Sequence, residues 1–168
     1  MHPTIQKRFD ALEARRATLV ARVEALTPEQ QIQRPDPKAF SPAEVIQHLA
    51  MTEEFDLGFL RTNPPPTIKD RKPHVTFIFN RTLNQMKLPV KRIGTPPMLV
   101  PKGVITLAQA ESQWEAARVE LRGFFEQAEE PDDAFIKFNF LFGTASATEL
   151  LAFLEAHMTY HEQRFPKV

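Results

Sequence analysis

The sequence predicts an all-α protein, a four-helix bundle with a long proline-rich connection carrying a short helix between helices two and three. Three observations carry this. Prolines are numerous, 15 against 5 glycines, and they bound four long proline-free stretches. A proline inside a helix costs about 3 kcal/mol or more, so those stretches are where helices can form. Each stretch repeats its apolar residues by threes and fours, the mark of one buried helix face. The long connection lets helices two and three run parallel, which a tight turn forbids.

The first helix is expected over residues 4–26. Ile5, Phe9, Leu12, Leu19, Val23 and Leu26 form its stripe, with Arg16 at the remaining position. Arg16 reads either as a snorkelling side chain or as a cation facing an interior pocket. The second helix is expected over residues 41–61. Ser41 suits the N-cap, Pro42 the first helical position, and Glu44 a capping box. Its inward stripe is Val45, His48, Leu49, Thr52, Phe55 and Phe59, and the triple proline 64–66 follows it. The connection over 63–105 should hold one short helix near 75–86.

The third helix starts at Thr106 with Gln109 completing a box, and repeats Leu107, Ala110, Trp114, Ala117, Leu121, Phe124 and Ala128. The run FIKFNFLF at 135–142 alternates like a strand, but a lone strand lacks a partner, so an extended aromatic loop is expected. The fourth helix starts near Thr144 or Ser146, with Glu149 in its first turn. Leu150, Leu154, His157, His161 and Arg164 follow its stripe, flanked by Leu151, Met158 and Phe165.

Composition bounds the function. At 168 residues the chain suits a single domain, 1–168, with a substantial core. Twenty-one basic residues balance 21 acidic ones, which argues against capture of nucleic acid or an anionic membrane surface. With no cysteine there is no disulfide, thiol nucleophile or thiolate metal site. The opening residues are charged and amphipathic, and no run of about 18 apolar residues occurs. A cytoplasmic protein is expected.

Three histidines point inward. His48 lies on the second helix's stripe, and His157 and His161 lie on the fourth's. A four-residue step turns a helix by about 400°, so both imidazoles leave one face. A lone histidine on an apolar face is more often a hydrogen-bonded core residue. Two buried imidazoles, however, each need a partner and repel if both charge, and a third on a facing helix completes a possible His₃ metal set. His2 and His74, in terminal and loop contexts, receive no role. Met158 follows His157 where zinc proteases place their glutamate, and no Glu-x-x-His exists for a di-iron site.

The segments SPAEVIQHLA (41–50) and FGTASATELLAFLEAHMTYHEQRF (142–165) resemble the DinB-like superfamily of bundle metalloenzymes. Phe40 to His48, Phe142-Gly143 and the pair His157/His161 match its features in order, over nearly the whole chain. The family commonly has Trp at the position of Phe40, and His-Pro where this chain has Asn139-Phe140-Leu141. The resemblance implies an up-down-down-up bundle, often a homodimer, holding a divalent metal through His48, His157 and His161. Relatives include transferases and isomerases that use bacillithiol, mycothiol or glutathione.

Three neutral imidazoles leave the metal's charge uncompensated and positions open, which favours activation of a thiol or water at neutral pH. The expected function is a metal-dependent transferase or hydrolase acting on a small electrophile, with Zn or Ni first and Fe next, and a low-molecular-weight thiol as co-substrate. The competing class is a non-enzymatic ligand-binding or dimerisation module with a vestigial or structural histidine set. Phe55, Phe140 and Phe142 are expected to line the pocket. Glu44 reads as a cap before a general base. Glu53 and Glu162 are expected to face solvent, and Tyr160 to sit at a helix or subunit boundary.

Overall fold

Local caps set where the helices begin. The Glu44 amide donates to Ser41 Oγ (3.3 Å) and the Ser41 amide donates to Glu44 Oε2 (2.8 Å). Thr106 with Gln109, and Ser146 with Glu149, form the same reciprocal box. Each satisfies amides that a helix start otherwise leaves unbonded. In the computed structural model, which describes residues 1–62, 73–88, 93–103, 105–128, 130, 134–138 and 143–165, the helices are α1 (Pro3–Glu24), α2 (Pro28–Ile32), α3 (Pro42–Thr62), α4 (Pro73–Met86), α5 (Leu107–Glu126) and α6 (Ala147–Glu162).

The four long helices are those expected, and α4 is the short helix expected in the connection. His2 caps α1: its Nδ1 accepts from the Thr4 amide at 3.2 Å. No role was expected for His2, and His74 lies in the first turn of α4 rather than in a loop. The one-turn α2 was not anticipated. Thr27 and Gln30 box its start and Pro28 opens it, the same signal read correctly at the longer helices.

One expectation is overturned. Ala134–Phe138 is a strand, β1, paired antiparallel with β2 (Gly143–Ser146) in register Ile136↔Ala145 and Phe138↔Gly143. The partner strand lay hidden in residues assigned to the start of the fourth helix, whose N-cap is Ser146. Residues 139–142 lie outside the described residues. The core remains helical, with this two-stranded hairpin against α3 and α6.

The apolar stripes meet as their spacing requires. Phe9 and Leu12 of α1, Leu49 and Leu57 of α3, Trp114 and Leu121 of α5, and Leu150 and Leu154 of α6 are buried in one cluster. α3 packs most extensively on α5, and α1 packs on α6. Two bridges tie α1 to α6: Arg8 to Glu155 at 2.9 Å and Arg15 to Glu162 at 2.7 Å. Glu162 is therefore half-buried rather than solvent-facing.

Glu53 corrects a further expectation. It is buried, and its carboxylate accepts from Trp114 Nε1 (2.8 Å) and from Arg118 Nε (2.5 Å) and Nη2 (2.8 Å). Arg118, also buried, donates to Glu13 of α1 at 2.8 Å. The network joins α1, α3 and α5, and each buried charge meets its opposite. Arg16 pairs with Glu13 and Glu115 and lies 5.9 Å from the Trp114 ring centroid. It forms an inter-helix ion pair with Glu115 of α5. No helix among the described residues is long and apolar enough to cross a membrane.

Candidate functional site

His48 sits in the second turn of α3, and His157 and His161 in the last turns of α6. Packing of these helices brings the three imidazoles together. Their relative exposures are 4%, 7% and 6%, so all are buried. His157 Nε2 lies 3.2 Å from His48 Nε2 and 3.1 Å from His161 Nε2. All three histidines offer a ring nitrogen within 4.8 Å of the others.

The nitrogen spacing suits a metal ion. Metal–nitrogen bonds of about 2.1 Å place adjacent nitrogens about 3.0 Å apart in octahedral and about 3.4 Å apart in tetrahedral coordination. The separations of His157 from His48 and from His161 fall between these, and the whole set lies within 4.8 Å. The imidazoles are also held in the neutral form that a metal requires. Burial lowers the His48 pKa, against the opposing hydrogen bond to Leu99. Burial first, then the charge of His48, pushes His157 well below the usual histidine value. Burial, then His157, His48 and Arg164, do the same to His161.

The surroundings fix the rings. His48 Nδ1 is 2.8 Å from the Leu99 carbonyl. With Nδ1–H donating there, the Nε2 lone pair points at the other two histidines. Leu99 belongs to a single 3-10 turn, Pro97–Leu99, closed by its amide on the Pro96 carbonyl at 2.9 Å. The Phe153 ring stacks on His157 with centroids 5.6 Å apart, and the Phe40 ring lies 5.2 Å from His48. Thr52 Oγ1 donates to the His48 carbonyl at 2.9 Å.

The cluster opens onto a pocket of about 100 Å³, partly exposed to solvent. Phe55 lines it, as expected, whereas Phe140 and Phe142 lie outside the described residues. Met86 of α4, with Ile93, Pro96 and Leu99 from the connection, forms the opposite wall. The proline-rich connection thus builds one side of the site.

Two pocket residues were misread or missed. Tyr160, expected at a helix or subunit boundary, lines the pocket, its ring centroid 5.1 Å from that of His161. Its hydroxyl accepts from the Ile93 amide at 2.9 Å, which anchors the connection to α6. Asp56 was passed over. It is 2% exposed, lines the pocket, and its Oδ2 has no hydrogen-bond partner among the described residues. Burial, then the nearby Glu53 charge, raises its pKa well above the carboxylate range. The signal was in the spacing: His48, Thr52 and Asp56 fall at i, i+4 and i+8 of one helix face. Glu44, read as a cap, is one, and it also pairs with Arg34.

The family model of the DinB superfamily matches residues 11–163. The chain belongs to the DinB superfamily. The match takes in all three histidines and Asp56, and it agrees with the resemblance read from the motifs at 41–50 and 142–165. No significant match occurs among curated proteins or solved structures. The DinB superfamily assignment therefore supplies the family, and the site geometry must carry the chemistry.

Proposed function

We propose that this protein is a divalent-metal-dependent enzyme that activates a small thiol, or water, against a small electrophile. The observation that carries it is the convergence of three buried, neutral imidazoles, His157 Nε2 lying 3.2 Å from His48 Nε2 and 3.1 Å from His161 Nε2, in the lining of a partly open, mainly apolar pocket. Membership of a metal-binding superfamily supports it. His48, His157 and His161 would hold the ion. A divalent ion there supplies Lewis acidity, lowering the pKa of a thiol or water beside it.

The protein's own residues do the rest. Leu99 orients His48, and Phe153 and Tyr160 pack against His157 and His161. The mainly apolar walls receive the apolar body of the electrophile. In thiol transfer the sulfur forms its bond to the electrophilic carbon, the leaving group departs with its electron pair, and the thiol proton passes to solvent. Zn and Ni lead among the metals because imidazole donors suit both, with Fe next. Helices α1, α3, α5 and α6 are read as the up-down-down-up bundle, supported by the length of the connection between α3 and α5. A cytoplasmic homodimer completes the proposal.

The test is conjugation of a small thiol to 1-chloro-2,4-dinitrobenzene by protein loaded with Zn²⁺ or Ni²⁺. Turnover that disappears on chelation and in His48→Ala supports the proposal. No turnover with any of a panel of thiols, and no hydrolysis of activated esters, would leave the bundle without the activity proposed.

A further inference from the structure

Asp56 is a buried carboxyl group in a mainly apolar pocket. It lies two turns along α3 from His48, on the same face, and is not one of the converging metal donors. Its Oδ2 is inaccessible to solvent and lacks a hydrogen-bond donor among the described residues. The neighbouring acid, Glu53, is already committed to Trp114 and Arg118. A lone buried carboxyl oxygen costs free energy unless something bonds to it. A core gains nothing from such a group, since an apolar residue of similar volume would fill the position at lower cost.

We propose that Asp56 is the specificity-determining residue of the pocket, receiving a cationic hydrogen-bond donor, an ammonium or amidinium group, on a small ligand whose apolar body lies between Phe55 and Met86. This deepens the proposed function and rests on it only in taking the pocket as the small-molecule site. The histidine cluster and Asp56 both line the pocket, Asp56 two turns along α3 from His48. Ligand pockets are typically apolar with a few placed polar groups that set orientation. A site built to bond a donor rejects analogues that lack it, because its own polar group is then left unpaired. Asp56 has no cation of its own among the described partners; its carboxyl, protonated in the empty pocket, gives that proton up to solvent as a cationic donor binds, and the nearby Glu53 carboxylate adds to the attraction.

The experiment compares benzamidine with acetophenone, which has a similar shape and no donor. Protonated benzamidine has no lone pair for a metal, so any preference belongs to the pocket's acid. Binding is measured by calorimetry on the full chain, both loaded with Co²⁺ and stripped of metal, for wild type, Asp56→Asn and Asp56→Leu. The expected result is at least tenfold tighter binding of benzamidine than of acetophenone by wild type. Both variants should lose that preference while binding acetophenone as before. Equal binding of the two probes by wild type, as when water satisfies Oδ2, overturns the proposal, and so does a preference that survives in Asp56→Leu. Failure to take up Co²⁺ counts against the metal centre alone, because the stripped protein still reads the Asp56 preference.

Discussion

At the scale of single residues, the site and the core use charge in opposite ways. Asp56 buries a carboxyl with an unpartnered oxygen, whereas Glu53, three residues earlier on α3, buries one that is fully paired. Asp56→Leu should therefore stabilise the protein by about 1–3 kcal/mol, the cost of an unsatisfied buried polar group. The pH dependence follows from the raised pKa. The unfolded chain loses the Asp56 proton above about pH 3.8, while the folded state retains it. This residue's contribution therefore falls as pH rises from there. The gain in Asp56→Leu should be larger at pH 7 than at pH 4 in urea unfolding. Glu53→Gln should do the reverse, costing about 3–5 kcal/mol because Arg118 is left buried without its charge partner. Glu53 was misread because periodicity ranks positions by hydrophobicity. A charged residue on an inward face looks solvent-exposed until its partner is known, and that partner, Arg118, lies 65 residues away.

At the scale of elements, starts were more legible than partners. The three boxes at Ser41, Thr106 and Ser146 are local signals within four residues, and the helices begin where they stand. Ser146→Ala should cost about 1 kcal/mol, measured by thermal unfolding of the metal-free protein. The β1–β2 hairpin was not legible, because a strand is defined by its pairing and β2 runs directly into the α6 N-cap. The connection's role in the pocket was equally hidden. Its attachment depends on Tyr160, whose hydroxyl accepts from the Ile93 amide, and on Leu99, whose carbonyl holds His48. Tyr160→Phe should speed hydrogen exchange at the Ile93 amide by at least tenfold. Unchanged protection would mean that Tyr160 does not anchor the connection.

At the scale of the whole molecule, the histidine cluster should govern both acid sensitivity and response to metal. The folded-state pKa values of His48, His157 and His161 lie below that of a free histidine. The unfolded chain therefore binds more protons as pH falls through about 6.5. The stabilising contribution of the neutral cluster is complete above that value and is lost below it. Metal-free protein should lose stability from about pH 6.5 downward, and a metal that binds only the folded state should raise the unfolding midpoint with its concentration. The His48, His157 and His161 triad was legible because its members sit on stripes that a bundle must turn inward, two of them one turn apart. Asp56, two turns from His48 on the same face of α3, was passed over because a carboxylate does not register in an apolar stripe. The central claim is that this cluster holds a metal, and elemental analysis of tag-free protein by plasma mass spectrometry, beside His157→Ala, tests it most directly. The expected result is close to one equivalent of a divalent transition metal in wild type and its loss in the variant. Absence of metal from wild type, even after incubation with Zn²⁺ or Ni²⁺, would contradict it.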